Sequence, residues 1–425
     1  MASEEKQIFV YEHWSSSEPC LLGSLFANTT RGTEHFSFEY DTHFLHALSY
    51  PLVFDPELNL YEGRQYPRTK PIFGIFTDSS PDRWGRMLLS RREQILAAKE
   101  GRKPRRLSES DYLLGVYDQA RMGALRFSLN RGGPFLANDE ELAVPPWTTL
   151  RTLEEASREF EKGENALIEK WLERLIRPGS SLGGARPKAT VQDVDGSLWI
   201  AKFPSRTDEN NAGAWEKVVH DLAAECGLNV AEARVEEFSD LGSTFLVKRF
   251  DRDGDRRLCF TSAMTVLGKT DGASFADGTS YLDLASFIRA HGAQPQNDLT
   301  ELWKRIVFEM AVSDTDDHLR NHGFILTPDG WVLSPMYDVN PEPTGDSLSL
   351  GVTHESNMIN IDLAIDAAGY YGISNNTAIR IADEICSTVR GRWERLAKLY
   401  GLSRSQIELM RPAFMESAWK SGRTK

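Results

Sequence analysis

Between two stretches built for burial, "LWKRIVFEMAV" (302–312) and "GFIL" (323–326), the chain places the polar run "SDTDDHLRNH" (313–322). Three carboxylates, two histidines, an arginine and an asparagine crowd into it. Charged groups are costly to bury unless something pairs them, so any fold of this chain must hold a structured polar loop inside an apolar frame. A metal site, an ion-pair network and a catalytic loop would each satisfy that demand. His318 and His322 have the i,i+4 spacing of H-E-x-x-H, but Leu319 stands where the general-base Glu should be and Gly323 ends any helix at once, which argues against zinc. An ion-pair network with Arg320 bridging the aspartates leaves the rest of the pattern unexplained. Asp316 and Asn321, in contrast, have the spacing D-x-x-x-x-N, the tail of a protein-kinase catalytic loop in which Asp accepts the hydroxyl proton and Asn holds magnesium.

Two further features extend the catalytic reading. "WVLSPMYD" presents Asp338 after a strand-like run, where the second metal-binding Asp of a kinase would stand, and Asn321 with Asp338 offers the hard oxygen ligands that magnesium prefers. Upstream, "GSSLGGARPK" (179–188) carries three glycines whose amides could approach an anion, with Lys188 as a cation. It is no Walker A motif, and alone it reads equally well as an ordinary hairpin loop. The strand-like "LWIAKF" then carries Lys202 after the glycine loop, the layout of a kinase lysine that reaches the α/β-phosphates; the alternative is an edge strand with Lys202 facing water. Glu216 on the next helix is its candidate partner.

At 425 residues the chain exceeds what one core usually organises, so two or three domains are expected. Residues 1–135 mix strand-like runs ("KQIFVYEHW", "HFSFEY", "GALRFSL") with helices, one of them opening near Pro81 with Asp78, Ser79 or Ser80 as cap. A Gly/Pro-rich boundary follows at 130–147, and "TLRTLEEASREFEKGENALIEKWLERLI" reads as helix. In "ATVQDVDGSLWIAKF" Asp195-Gly196 signals a hairpin, and an amphipathic helix over about 212–226 ends at Gly227. Two more strand candidates follow, "EARVEEF" and "STFLVKRFD", and from about 280 to the end helical periodicity dominates, apart from the stretch around 321–352. A net charge of −13 argues against a general nucleic-acid coat, leaving one basic segment, 91–106, as either a solvated helix end or a contact to phosphates. Four scattered cysteines without a CxxC pair, no secretory signal and no membrane-length apolar run point to a cytoplasmic protein with reduced thiols.

These residues resemble the HipA family, the serine/threonine kinase toxins of bacterial toxin–antitoxin pairs. The resemblance is carried by "SSLGGARPKA", "IAKFP", "VKRFDR", "SDTDDHLRNHGF" and "SPMYDVNP", and reaches "FTDSSPDRWGRMLL" and "VYDQARMGALRF" near the N-terminus. It implies an α/β (α+β) class and a protein-kinase-like bilobal fold: an accessory mixed α/β subdomain (1–135), a β-rich N-lobe (150–255) and an all-helical C-lobe (256–425). It further implies Asp316 as catalytic aspartate, Asn321 and Asp338 as Mg2+ ligands, and Lys202 on the ATP phosphates. Leu182, Gly183, Gly184 and Ala185 would form the phosphate loop with Lys188 close by, Lys248 to Phe250 the adenine hinge, and Tyr337 would lie near the base. Ser181 matches the autophosphorylated serine, with Ser180 beside it.

The implied partners are a helix-turn-helix antitoxin of HipB type, operator DNA through that antitoxin, and a protein substrate, with no membrane. Arg186 and "CFTSAMT" (259–265) depart from many relatives, so the substrate need not be the glutamyl-tRNA synthetase of some of them. Other functions remain open at this level: a co-repressor with a weak kinase site, or a kinase for a small molecule.

Overall fold

A computed structural model describes residues 5–47, 53–136, 144–163, 175, 184 and 186–414. The chain divides into two compact units: residues 1–206 together with 248–261, and residues 207–247 together with 262–425.

The first unit is built on a four-stranded antiparallel sheet of β1 (Glu5–Glu12), β2 (Cys20–Thr30), β3 (Thr33–Tyr40) and β4 (Leu125–Ser128), in the order β3-β2-β1-β4. Period-two alternation turns Ile8 and Val10 of β1 and Phe36 and Phe38 of β3 into the core, where Phe73, Phe76 and Phe127 meet them. Gly23 is required where β2 passes β3, because a Cβ there would lie 2.3 Å from the Glu39 carbonyl oxygen. The helix Arg83–Lys99 packs Trp84 and Leu88 against Ala156 of the helix Leu150–Lys162. Its cap is Asp82, which accepts from the Gly85 N–H at 2.7 Å; the expected caps at 78–80 belong instead to a separate short helix, Gly74–Asp78, and its end. Of the helix expected over 149–176, Leu150–Lys162 is described and closes at Gly163 with a left-handed cap (φ 73°), while 164–174 and 176 lie outside the described residues. β5 (Lys188–Gln192) and β6 (Leu198–Lys202) form an antiparallel hairpin turning at Gly196, as Asp195-Gly196 suggests.

The second unit contains the helix Ala212–Glu225, the antiparallel pair β7 (Ala233–Ser239) and β8 (Gly242–Lys248), and a helical bundle. Asn211 caps the first helix, and Gly227 with φ 72° follows its end, as the sequence indicates. The bundle centres on Pro295–Val312, whose Trp303, Ile306, Val307 and Met310 are buried. Against it lies Asn375–Leu399, with Ala378, Ile381, Ala382, Ile385, Val389 and Trp393 repeating at helical spacing on one face. Each buried Ile, Val or Met among them contributes roughly 1.5–3 kcal/mol. After Pro295–Val312 the chain forms the polar run and then a hairpin of Gly323–Thr327 with Gly330–Leu333, so the region 256–425, expected to be all-helical, carries strands as well. Among the described residues no helix is long and apolar enough to cross a membrane.

Candidate active site

In the second unit the helix Pro295–Val312 stops at Ser313, a non-glycine residue in the left-handed region (φ 54°). That turn sends the chain into a loop stitched to the segment after the Gly330–Leu333 strand. The Asp314 carboxylate accepts the N–H of Asp316 at 3.2 Å and that of Asn340 at 3.3 Å. The Ser349 hydroxyl donates to the Thr315 carbonyl at 2.8 Å, and the Tyr337 hydroxyl donates to the Arg320 carbonyl at 2.7 Å. Asp338 also has a positive φ (62°) and follows the strand by a short loop.

Asn321 joins the two parts. Its side-chain N–H2 donates to the Asp316 carbonyl at 3.3 Å and to the Asp338 carbonyl at 3.4 Å. With the nitrogen so directed, the amide oxygen is the end left to meet a ligand. The loop thus gathers Asp316, Asn321, Tyr337 and Asp338, and Asp316 alone of the run's three aspartates is exposed. Asn321 and Asp338, joined through the Asp338 carbonyl, offer an amide oxygen and a carboxylate, hard donors that suit Mg2+ better than a thiophilic ion.

The histidines serve another purpose than an i,i+4 metal pair. His322 Nε2 lies 2.7 Å from Asp317 in the interior, and His318 is not part of the one cluster of possible metal-ligating groups found among the described residues. Arg320 does not bridge the aspartates of the run: its Nε is 3.1 Å from Asp271.

In the first unit, Gly184 adopts φ 89°, and a Cβ there would sit 3.3 Å from the Lys188 ammonium. Lys188 is a buried ion-pair partner: its Nζ is 3.0 Å from Asp82 Oδ2, with side-chain exposures of 2% and 0%. Trp84 reinforces the junction, donating Nε1–H to the Lys188 carbonyl at 3.0 Å and its backbone N–H to the Gly184 carbonyl at 3.3 Å. Lys188 and Lys202 are direct cross-strand partners and share one face. Like charges so placed repel, and Asp82 offsets the buried one. Arg186 donates to the Phe203 carbonyl at 3.0 Å, and Phe250 leans on Phe260 with ring centres 5.9 Å apart. Lys202 and Lys248 are half-buried strand residues, and Glu216 is buried on the helix Ala212–Glu225. Ser180, Ser181, Leu182, Gly183 and Ala185 lie outside the described residues.

The motif "VKRFDR" has a further role that the sequence did not disclose. Asp251 is fully buried and accepts from Arg249 Nη2 at 2.7 Å, Arg252 Nη1 at 2.5 Å and the Gly123 N–H at 2.7 Å. Arg249 also donates to the carbonyls of Ala120 and Arg121, at 2.7 and 2.9 Å. The motif therefore fastens the segment 248–252 to the loop 118–123.

A family model described as the HipA-like C-terminal domain matches residues 180–393, half of the chain. The chain belongs to this HipA-like family. "Putative kinase Y4mE" of Sinorhizobium fredii is 31% identical over a stretch covering 37% of this chain and 41% of that protein. A Haemophilus influenzae protein also named as a kinase is 29% identical, over 39% of this chain and 54% of its own length. The HipA-like chain thus spans about half the length of these relatives. HipA of Shewanella oneidensis MR-1, solved with HipB and its operator DNA, superposes with a TM-score of 0.68 at 16% identity, covering 96% of this chain and 95% of that one. At that identity the likeness is one of fold, and the expected mixed α/β, kinase-like fold of the HipA-like chain stands.

Sequence reasoning missed Asp82, Asp251 and Asp314. Asp82 and Lys188 are 106 residues apart, and nothing local to either announces the pairing. For Asp314 the signal was its place between a helix end and Asp316, which makes it a natural acceptor for the loop's own N–H groups.

Proposed function

We propose that this HipA-like chain is an ATP- and Mg2+-dependent protein serine/threonine kinase and the toxin of a toxin–antitoxin pair. The observation that carries the reading is the Asn321 amide, which ties the carbonyls of Asp316 and Asp338 into one constellation. In it, the exposed Asp316 carboxylate orients an acceptor hydroxyl and takes its proton. Asn321 and Asp338 would hold Mg2+, which would neutralise charge on the phosphates of ATP, the donor of the phosphoryl group. Lys202 pairs with the phosphates, and residues 182–185, backed by Lys188 on Asp82, cradle them. Lys248 to Phe250 and Tyr337 receive the adenine. Catalysis in such a site rests on positioning and electrostatics. Ser181, or Ser180 beside it, is the site of self-silencing, because about two added negative charges cannot share a loop whose amides seek an anion. A HipB-type helix-turn-helix antitoxin is the restraining partner, and it links the kinase to operator DNA.

The test is phosphotransfer from labelled ATP by wild type and Asp316→Ala, with phosphosites located by mass spectrometry. The expected result is label on Ser180 or Ser181 and on a lysate protein with wild type, and none with Asp316→Ala. No label on either serine or on any lysate protein with wild type sinks the reading. Equal growth arrest by the two forms removes the kinase-dependent toxin.

A further inference from the structure

Asp317, adjacent to the exposed Asp316, turns the opposite way, into the bundle. Its Oδ2 is 2.6 Å from the Tyr281 hydroxyl and 2.7 Å from His322 Nε2. The same Tyr281 hydroxyl is 3.0 Å from Glu309 Oε2. Ligating atoms of Glu309, Asp317 and His322 all lie within 4.8 Å of one another, and all four side chains are buried.

A proton count fixes the roles in this cluster. Tyr281 has one hydroxyl proton and two carboxylate neighbours, so it can donate to only one of them. The shorter contact goes to Asp317. Glu309 must then carry a proton of its own and act as a donor, since two bare carboxylates this close in the interior would repel strongly. Burial and the neighbouring Asp317 push the Glu309 carboxyl well above its ordinary range. Burial opposes ionisation of Asp317 too, but His322 and the hydrogen bonds from His322, Tyr281 and Glu309 outweigh it and keep Asp317 below its usual value.

We propose that Asp317 is a positioning residue for Asp316, an acceptor hub held by Tyr281, His322 and Glu309 from three separate segments. The segments are the start of the helix Tyr281–His291, the last turns of Pro295–Val312, and the residue before the strand Gly323–Thr327. The peptide linking Asp316 to Asp317 is therefore clamped on both sides. Asp314 and Asn321 hold the Asp316 backbone N–H and carbonyl, and the hub holds the next side chain. Displacement of the Asp316 backbone, and with it the carboxylate, away from the acceptor hydroxyl requires breaking one of these anchors.

This inference rests on the phosphotransfer reading, and the experiment separates the two. In the full chain, Asp317→Asn is compared with wild type, Tyr281→Phe, Glu309→Gln and Glu309→Ala. The measurements are kcat, the KM for ATP, and hydrogen exchange across 313–323. Misplacing a catalytic group by about an ångström costs on the order of 100-fold, so Asp317→Asn is expected to lose about that much in kcat. The KM for ATP should change by less than about twofold, because the lost effect falls on orientation rather than on nucleotide binding. Tyr281→Phe should fall in the same direction, and it carries the test if Asp317→Asn fails to fold. Glu309→Gln, which keeps a donor, should retain several-fold more kcat than Glu309→Ala.

A wild-type kcat in folded Asp317→Asn or, where that variant does not fold, in Tyr281→Phe, overturns the proposal. So does equal loss in Glu309→Gln and Glu309→Ala, or one equivalent of a divalent metal in the purified wild type that Asp317→Asn loses. If wild type itself transfers no phosphate, the kinase reading fails, and hydrogen exchange alone decides the hub. Faster exchange at 316–319 in Asp317→Asn upholds it, and unchanged exchange removes it.

Discussion

The two units each bury a polar network, and the networks solve opposite problems. In the first unit the excess is cationic. Asp251 and Asp118 serve Arg249, Arg252, Arg126 and Arg257, while fully buried Arg121 donates to the carbonyls of Ser79 at 2.6 Å and Val116 at 3.0 Å. In the second unit the excess is acidic: Glu309 and Asp317 share the Tyr281 hydroxyl, and His322 lies against Asp317. A guanidinium hardly sheds its charge, so the first network needs fixed anions and backbone carbonyls and behaves as a fastener. A carboxyl can take up a proton, so the second network relieves its excess by protonation. The fastener lies where an accessory loop must be held, and the proton-sharing cluster lies directly behind Asp316.

The largest effect expected from this contrast comes from the same isosteric change made in each network. Asp251→Asn leaves buried Arg249 and Arg252 without their anion and should cost about 3–5 kcal/mol, the range for breaking a buried pair. Glu309→Gln, which replaces a protonated acid by a neutral amide, should cost less than about 1.5 kcal/mol, the worth of an ordinary hydrogen bond. Urea unfolding of the two variants checks both, and equal losses would erase the distinction.

Next in size is the junction under the glycine loop. Lys188→Met strands Asp82 in the interior and should cost about 3 kcal/mol. Adding Asp82→Asn removes the stranded charge and should restore a good part of that loss, a coupling that a double-mutant cycle measures. Additive losses would mean that the two side chains do not depend on each other.

The last contrast is a difference in pH response. The Asp251 carboxyl is buried, yet Arg249 and Arg252 hold it far below the usual range. Its stabilisation is therefore present above about pH 4 and is lost only as the pH falls further. Glu309 is shifted upward, so the folded chain keeps a proton that the unfolded chain releases. Its contribution is full below about pH 4 and shrinks as the pH rises, by up to about 1.4 kcal/mol per pH unit. Lowering the pH from 7 to 5 should thus protect the Pro295–Val312 helix against hydrogen exchange in wild type relative to Glu309→Gln, with no matching change around Asp251. The same slope in both forms would assign the response to other groups.

The sequence made much of this legible where the signal was local. The spacing of Asp316, Asn321 and Asp338, the Asp195-Gly196 hairpin and the helix before Gly227 all depend on neighbours in the chain, and the structure has each element where local chemistry puts it. What stayed hidden depended on distant partners. Asp317 had no role legible in the sequence, because an irregular loop has no period from which an inward side chain can be read. Asp82 was passed over as a cap because the short helix Gly74–Asp78 displaced the start of the next helix. Lys188 carried a cation's usual reading as a phosphate contact, whereas its ion pair with Asp82 comes from a segment 106 residues away.

The discontinuity of the first unit has a consequence for how the protein is made. Residues 1–206 leave the ribosome well before 248–261, yet Asp118 finds Arg257, and the Gly123 N–H finds Asp251, only in that later segment. During translation the growing chain must therefore carry an unfinished N-terminal body, its loop 118–123 still unlatched, until the returning segment has emerged. The latch closes after the intervening stretch 207–247 has been synthesised, so the order of synthesis itself delays completion of the half that bears Lys188 and Lys202.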